Sequence, residues 1–304
     1  MATLKDVAKE SGLSVTTVSR VLNRRGYISE ETGNKVYEAM KKLNYQPNEM
    51  ARSLSKQSSN TVGVIVPHLD HPYFSKLISN LEEAAYEAHY QLLVFKSKGR
   101  EGRIREYLDV CNGNRVAGII LCSGTISTDE LLNGPRKVPL ITMERFLDHG
   151  TSAVECDNLQ GGRLAAECLI KAGCRKTLLF SNVKGISMPA DQRAKGFREV
   201  CSRMGLESVE IPMSEEIYNR LEYGELIWQA LAQHPEVDGI FASSDVIAAQ
   251  VIQVCRKKGI EIPRQLKLVG FDDVNIARLT TPGITTVRQP IREMAQLAVS
   301  LILD

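Results

Sequence analysis

The chain has 304 residues, of which 43% are hydrophobic, and its 38 Lys and Arg nearly balance its 36 Asp and Glu. This length suffices for two or three folded units. A membrane span is not expected, because no apolar run approaches ~20 residues. A secretory signal is not expected either, because the N-terminus lacks an apolar core. The balance hides an asymmetry, because residues 1–60 hold ten Lys and Arg against six Asp and Glu. We therefore expect an intracellular protein in which a small, basic nucleic-acid-binding module precedes a neutral body.

The seven cysteines are scattered along the chain without a C-x-x-C pair. Several lie in apolar runs, as Cys122 does after residues 118–121. This distribution indicates buried, reduced thiols rather than disulfides or ligands of a metal. We expect neither a metal ion nor another cofactor.

Residues 3–23 have the pattern of two short helices joined by a tight turn. Thr3 with Asp6 three residues later can form a capping box at the start of the first helix. Gly12 can take the left-handed conformation that ends a helix, and Ser14 can cap the next one.

The second of these helices has two different faces. One is an apolar stripe at helical spacing, formed by Val18, Val21 and Leu22. The other presents mainly short hydroxyls, an amide and an arginine, at Val15, Thr16, Thr17, Ser19, Arg20 and Asn23. Such groups suit phosphate and base-edge contacts, so a helix-turn-helix with its second helix in a DNA major groove is predicted. A capped helical hairpin with a solvated polar face is the alternative.

Ser29, followed by Glu30 and Glu31, is expected to begin a third helix that closes a three-helix unit. This helix should end near residues 45–47. Residues 48–55 then form a short helical piece, and the polar run 56–60 has the composition of a linker. Because so short a helix is unstable alone in water, it should be ordered only when packed against another surface.

From Thr61 onward, apolar runs alternate with amphipathic helical stretches. The predicted strands are 62–66, 91–95, 117–122, 139–143, 177–181, 239–244 and 266–271. The predicted helices include 74–89, 160–172, 190–204, 220–233, 246–258 and 291–304. This alternation predicts an α/β core of two doubly wound parallel-sheet subdomains, because strands buried on both faces read as continuous apolar runs. A ligand would bind at the carboxyl ends of the strands, in a cleft between the two halves.

The motifs along nearly the whole chain resemble the lactose-repressor (LacI/GalR) family of bacterial transcription regulators. The N-terminal matches are LKDVAKESGLSVTTVSRVLN, ISEETGNKV, KKLNYQPNEMARSL and NTVGVIVP. The later matches are HPYFSKLI, DQRAKGF, ASSDVIAAQVI, VGFDDV and ITTVRQPIREMAQLA. Within the family, NRRGYISEET and DNLQGGRLA look most like regulators of sucrose or related oligosaccharide operons.

The resemblance implies four segments and a periplasmic-binding-protein-like core of type I. The four segments are a helix-turn-helix headpiece at 1–46, a hinge helix and linker at 47–60, one core subdomain at 61–160 with 291–304, and another at 161–290. Family members typically continue for a few tens of residues after the position that matches Asp304. The chain is thus expected to end inside the last helix of the first subdomain.

The resemblance also implies which residues contact DNA. Base edges would be read by Val15, Thr16 and Arg20. Phosphates would be contacted by Ser14, Thr17, Ser19, Asn23, Ser29, Thr32, Tyr45 and Asn48, and Leu4 is assigned to the same surface. In the hinge, Ala51 and Leu54 would enter the minor groove, with Leu54 as the apolar wedge. Any of these hydroxyls could instead cap a helix, and Leu54 could instead dock on the core.

For the cleft, the resemblance implies an effector site formed by His71, Phe74, Glu144, Arg193, Asp245, Asp272 and Gln289. Phe74 could stack on a sugar ring, the Arg193 fork suits two adjacent hydroxyls, and Asp272 could accept from a hydroxyl pair. His71 departs from the asparagine usual in the family, which puts the polar contacts there in doubt. Glu144, Asp245 and Gln289 could instead cap helices or form ion pairs between the subdomains.

The implied function is a cytoplasmic, nucleoid-associated repressor that binds near-palindromic double-stranded operator DNA as a homodimer. A small ligand, a sugar or sugar phosphate, would control its operator affinity. Alternatives are control by a purine-like corepressor or a partner protein and, in a different class, a sugar-binding or sugar-processing protein. The chain has no P-loop, G-x-S-x-G or H-E-x-x-H motif, and the adjacent Asp272 and Asp273 are poorly placed for paired acid–base chemistry. We therefore do not expect an enzyme.

Overall fold

A computed structural model describes residues 2–22, 26–45, 59–97, 103–122, 138–144, 152–183 and 191–303 of the protein. The chain forms two compact units, Met1–Ser59 and Asn60–Asp304. The predicted hinge helix, with Asn48, Ala51 and Leu54, lies outside the described residues, as does Asn23.

The smaller unit contains the three expected helices, α1 (Leu4–Ser11), α2 (Val15–Leu22) and α3 (Glu30–Lys42). Thr3 and Asp6 form the predicted capping box, and Gly12 ends α1 in the left-handed conformation at φ 69°. The Ser14 hydroxyl accepts the Thr17 amide at 3.0 Å, and Ser29 caps α3. These caps satisfy amides that the helices themselves leave unpaired, so the local sequence determines where the helices begin.

The core of this unit is formed by one apolar stripe from each helix. Val7, Val18 and Val36 are fully buried at its centre. Ala8, Val21 and Ala39 complete it, with Leu13, Leu22, Met40 and Leu43 packed around it. The predicted apolar stripes therefore face one another.

The first half of the larger unit is built on a five-stranded parallel sheet. Its strands are β1 (Thr61–Val66), β2 (Gln91–Lys96), β3 (Gly118–Leu121), β4 (Leu140–Met143) and β5 (Ser152–Val154), in the order β2-β1-β3-β4-β5. The helices α4 (Pro72–Glu87) and α5 (Arg103–Gly113) belong to this half.

The second half repeats this arrangement. Its strands are β6 (Lys176–Val183), β7 (Glu207–Met213), β8 (Gly239–Ala242), β9 (Lys267–Asp272) and β10 (Thr285–Arg288), in the order β10-β9-β8-β6-β7. Its helices are α6 (Asn158–Lys171), α7 (Asp191–Met204), α8 (Glu215–Arg220), α9 (Gly224–Gln233), α10 (Asp245–Lys258) and α11 (Asn275–Leu279). The final helix, α12 (Ile291–Leu303), packs on α4 of the first half. The two parallel sheets confirm the predicted fold class.

Successive strand residues point to opposite faces of each sheet, as the β pleat requires. In β1, Val64 packs in the same cluster as Leu77 of α4 and Ala298 of α12, while the adjacent Ile65 packs with Ile104 of α5. Both faces are covered by helices, which explains why the central strands are continuously apolar.

Three strands were not expected from the sequence: β5, β7 and β10. Each lies at an edge of its sheet, and none is continuously buried, since β5 and β7 mix exposed and buried residues and β10 has only exposed and half-buried ones. Edge strands have one unpaired side and partial solvent exposure, so they lack the apolar runs that identify central strands.

The seven cysteines behave as predicted. All are free thiols, five of them buried and two, Cys156 and Cys168, half-buried. Burial raises the pKa of the Cys111 and Cys255 thiols to about 11, so these groups stay protonated and pack as small apolar side chains. Within the described residues, none of the helices combines the length and apolar character needed to cross a membrane.

Candidate functional site

A cavity lies at the carboxyl ends of the strands, between the two halves of the larger unit. Both sheets have the same doubly wound order, and such sheets bind ligands at this edge. The cavity has an empty volume of about 610 Å³, including the part open to solvent. It is lined by His71, Tyr73, Phe74, Glu144, Val183, Arg193, Met213, Tyr218, Tyr223, Ser243, Ser244, Ile247, Asp272 and Gln289. Six of the seven predicted effector residues therefore meet in one place.

His71 and Phe74 enter the cavity wall at the start of α4. The His71 ring caps this helix, its Nδ1 accepting the Tyr73 amide at 3.2 Å, and Pro72 occupies the first helical turn. The Phe74 ring lies edge-on to the His71 ring at 5.6 Å. Burial lowers the pKa of His71 to about 4, so the imidazole is neutral near pH 7. His71 thus supplies the cap that an asparagine can also provide.

Arg193 is the central cation of the wall, and only 6% of its surface is exposed. Its Nε donates to Asn158 Oδ1 at 2.7 Å, and its Nη1 donates to the Ser243 carbonyl at 2.9 Å. The guanidinium also lies 3.8 Å from the centre of the Phe271 ring. These contacts hold its plane in one orientation, as a binding group that is organised before its ligand arrives requires.

Two carboxyl groups flank this guanidinium. Arg193 Nη2 donates to Glu144 Oε2 at 3.3 Å, and Nη1 lies 3.8 Å from Asp272 Oδ1. Burial raises the pKa of both acids, to about 8 for Asp272, while the charge of Arg193 opposes the rise. Glu144 and Asp272 also have φ of 54° and 112°, in the left-handed region. Strained backbone of this kind clusters at ligand sites.

Gln289 extends the set of polar groups. Its Nε2 donates to Asp272 Oδ1 at 2.7 Å. Its Oε1 is buried and has no hydrogen-bond partner among the described residues. A buried acceptor without a donor is costly, so a ligand hydroxyl that reached it would be favoured.

Asp245 is the predicted effector residue that does not line the cavity. It is fully buried at the start of α10, where it accepts the Val274 amide at 2.9 Å and the Thr286 hydroxyl at 2.6 Å. Val274 lies two residues after Asp272, so Asp245 holds the loop that presents the Asp272 carboxyl group.

The close contact of α6 with α7 positions Arg193 and Asn158, one from each helix. A Cβ at Gly162 would overlap the Arg193 carbonyl, and a Cβ at Gly196 would overlap the Leu159 carbonyl. Glycine is therefore required at both positions for the two backbones to approach this closely.

Several residues of the site were not identified from the sequence: Tyr218 and Tyr223 on the cavity wall, and Asn158, which accepts from Arg193. The predicted helix 220–233 begins only at Gly224, as α9, and a separate short helix, α8, precedes it and ends at Leu221, which has φ 58°. Gln250 holds the break by accepting the Tyr223 amide at 2.7 Å and donating to the Leu221 carbonyl at 2.8 Å. The break places Tyr218 and Tyr223 on the cavity wall. Asn158 does occur in the motif DNLQGGRLA, which was a usable signal.

In the smaller unit, the predicted base-reading residues are accessible. Val15 is 41% exposed, and Thr16 and Arg20 are exposed beside it. Thr17, Ser19 and Thr32 are half-buried, and Ser14 and Ser29 are exposed caps. Leu4 and Tyr45 pack partly against the headpiece core.

Comparison with known proteins shows the family. Residues 3–48 match the model of bacterial regulatory proteins of the lacI family, and residues 166–304 match a periplasmic binding protein-like domain. The chain is 35% identical over 305 residues to the sucrose operon repressor of Streptococcus mutans serotype c, covering 100% of this chain and 92% of that protein. It is 34% identical over 306 residues to the ribose operon repressor of Halalkalibacterium halodurans, covering 100% and 90%.

Among solved structures, the fold matches a periplasmic binding protein/LacI transcriptional regulator from Alkaliphilus metalliredigens QYMF, which was crystallised with D-xylulofuranose. The TM-score is 0.72 at 28% identity, covering 81% of this chain and 90% of that one. Relatives more than 30% identical match over the whole of this chain, and the helix-turn-helix and the doubly wound core are consistent with them. The chain belongs to the lacI family of bacterial DNA-binding transcriptional regulators.

Proposed function

We propose that the protein is a repressor whose affinity for its operator is controlled by a sugar bound in the cavity around Arg193. The observation that carries the proposal is the buried guanidinium of Arg193, held in one orientation between Glu144 and Asp272 in a cavity that the Phe74 ring also lines. A planar fork with adjacent acceptors and an aromatic ring suits a polyhydroxylated ring. Sucrose and ribose operon repressors among the relatives support a sugar.

The proposed control works through closure of the two halves of the core. Contacts already connect them: Arg193 donates to Glu144, and the Lys76 ammonium donates to the Asp273 carbonyl at 2.7 Å. A ligand that bridges the same elements would shift the equilibrium between open and closed cores. In a homodimer this would change how the two hinges are paired, and operator affinity would change with it.

The remaining assignments are part of the same proposal. We place the headpiece at 1–46, the hinge at 47–60, and the core subdomains at 61–160 with 291–304 and at 161–290. The protein acts in the cytoplasm on nucleoid DNA, as a homodimer and without enzymatic activity. Relatives named as operon repressors support these assignments.

The DNA-binding role is tested by Arg20→Ala. Arg20 is exposed on α2, and an arginine that forks onto a guanine contributes about 1–3 kcal/mol to discrimination between bases. We expect the variant to lose roughly that much affinity for its operator and to retain its salt-dependent binding to nonspecific DNA. Fluorescence anisotropy at two or more salt concentrations measures both quantities.

The matched control for Arg20 is Lys35→Ala, which removes a positive charge from α3. Lys35 is exposed and paired with Glu31 at 2.7 Å. An equal loss of operator affinity in both variants would show that Arg20 contributes only its charge and does not read a base.

The effector role is tested by a thermal-shift screen with monosaccharides, disaccharides, sugar phosphates and purines. A ligand bound only by the folded state stabilises it by ~2.7 kcal/mol at a hundredfold excess over its Kd. We expect a sugar to raise the Tm and Arg193→Ala to abolish the shift. Arg163→Ala is the control, because it removes a half-exposed arginine paired with Glu199 on the neighbouring helix.

The other outcomes of this screen each exclude part of the proposal. A sugar shift that survives in Arg193→Ala would place the site elsewhere. A shift with purines alone would indicate a corepressor. No shift with any compound, while operator DNA is still bound, would indicate control by a partner protein.

A further inference from the structure

The charges of the cavity wall are unusual for a site that would bind an anion. In the described part of the chain, Arg193 is the cationic side chain on this wall, and Glu144 and Asp272 are acidic groups on either side of it. Burial raises the pKa of both acids, and the charge of Arg193 opposes the rise. One ionised carboxylate is enough to neutralise Arg193, so among the wall residues that the structure describes little positive charge remains for a ligand.

Each nitrogen atom of Arg193 also donates one hydrogen bond to a protein acceptor. Nε donates to Asn158, Nη1 to the Ser243 carbonyl and Nη2 to Glu144, at 2.7, 2.9 and 3.3 Å. Phosphate recognition by arginine normally uses two parallel N–H donors aimed at the phosphate oxygens. Three of the five N–H groups of Arg193 are therefore taken, and the two that remain, one on Nη1 and one on Nη2, belong to a guanidinium flanked by the acidic side chains Glu144 and Asp272.

The two helix N-termini at this wall, which could attract a phosphate, are already capped. The first turn of α4 is capped by the neutral His71 ring, and the first turn of α10 is capped by the Ser244 hydroxyl. Asp245 also places a carboxyl group at the start of α10. A helix N-terminus that already has its own cap and acid offers a weaker anion site.

The unsatisfied groups call for donors instead. Gln289 Oε1 is a buried acceptor without a partner among the described residues, and the Glu144 and Asp272 carboxyl groups lie beside it on the wall. Hydroxyl groups can donate to such acceptors, whereas an ionised phosphate presents acceptors only.

We propose that this cavity selects an uncharged, polyhydroxylated effector and rejects the phosphorylated form of the same sugar, with Glu144 as the residue that discriminates between them. This proposal rests on the proposed sugar-effector function and narrows its ligand class. Hydroxyl donors would satisfy Gln289 and the two acids, and a phosphate group would instead meet the oxygen atoms of Glu144, of which Oε2 accepts from Arg193.

The test is isothermal titration calorimetry with matched pairs: ribose with ribose 5-phosphate, fructose with fructose 6-phosphate, and sucrose with sucrose 6-phosphate. Inorganic phosphate alone is the probe for a simple anion site. For the pair that binds, we expect the phosphorylated member to bind at least about 30-fold more weakly, because placing like charges side by side is strongly unfavourable. Inorganic phosphate should not bind.

The variant Glu144→Gln keeps the shape of the side chain and removes its charge. It should bring the two affinities of the pair closer together by about tenfold or more. Glu216→Gln is the control, because Glu216 is exposed and paired with Arg220 on α8, and it should leave the ratio unchanged. If Glu144→Gln does not fold, the ratio measured on the unmodified protein still decides the proposal.

Three results would overturn it: a phosphorylated sugar that binds as well as or better than its neutral form, binding of inorganic phosphate, or an unchanged ratio in folded Glu144→Gln. The first two would leave the sugar-effector function standing. Binding of no sugar in either form, with operator DNA still bound, would instead remove the proposed function itself.

Discussion

Gly162→Ala is expected to destabilise the core by about 3 kcal/mol or more, the largest stability change expected from a single added methyl group here. A Cβ at Gly162 would overlap the carbonyl oxygen and carbon of Arg193. The obstacle is backbone rather than the end of a side chain, so no rotamer change relieves it, and the two helices must separate. Overpacking of a rigid contact typically costs about 1–3 kcal/mol and occasionally more.

Urea denaturation followed by tryptophan fluorescence measures this change. Trp228 is the only tryptophan of the chain and lies on α9 in the same half of the core. It is 41% exposed in the folded protein. Because unfolding exposes the rest of the side chain to water, its emission reports unfolding of this half of the core. The control is Gly224→Ala at the start of α9, where a Cβ meets no heavy atom within 4 Å. This variant should change the free energy of unfolding by less than about 1 kcal/mol.

The same substitution at Gly162 should weaken effector binding. Arg193 contributes the carbonyl that the added methyl group would displace, and its side chain is held by Asn158 on the opposite helix. Separation of α6 from α7 therefore moves the guanidinium relative to Glu144 and Asp272. A Gly162→Ala protein with unchanged free energy of unfolding and unchanged effector affinity would show that this helix contact is not the support of the site.

Asp272→Asn is expected to alter how stability depends on pH. In the folded protein, burial raises the pKa of Asp272 to about 8, against an ordinary value near 3.9. The folded state then keeps a proton that the unfolded state releases above about pH 4. Stability conferred by this group is complete below pH 4 and is lost as pH rises toward 8, by up to ~1.4 kcal/mol per pH unit.

Asparagine cannot ionise and tolerates the left-handed conformation that Asp272 adopts. The free energy of unfolding of the Asp272→Asn variant, relative to that of the unmodified protein, should therefore increase from pH 5 to pH 8 by a few kcal/mol in total. His71 acts in the opposite direction, because its lowered pKa of about 4 destabilises the folded state as pH falls below about 6.5. His71 is present in both proteins, so its contribution cancels in the difference between their free energies of unfolding.

Urea titrations of both proteins at intervals between pH 5 and pH 8 measure this difference. Asp109→Asn, at an exposed position on α5, is the control and should show no trend. If the difference in stability between the two proteins instead stays constant from pH 5 to pH 8, Asp272 is ionised in the folded protein across this range and its attraction to Arg193 outweighs the cost of its burial.

The sequence alone determined the features that depend on near neighbours in the chain. Thr3 with Asp6, and Ser29 with Thr32, lie within one helical turn of each other, so caps and helix starts could be predicted from spacing. The central strands were equally clear, because burial on both faces leaves a continuous apolar run. The family motifs then indicated Arg193, Asp272 and Gln289, which do lie together on one wall.

Only the tertiary structure decided what these residues contact. The partners of Arg193 are 35, 50 and 49 residues away, at Asn158, Ser243 and Glu144. The family motifs assign Asp245 to the effector site. In the structure it is buried outside the cavity lining, where it accepts the Val274 amide. The break between α8 and α9 depends on Gln250 from another helix. Local spacing encodes caps and apolar faces, whereas the orientation of a buried charge depends on groups that only the packed sheets bring within hydrogen-bonding distance.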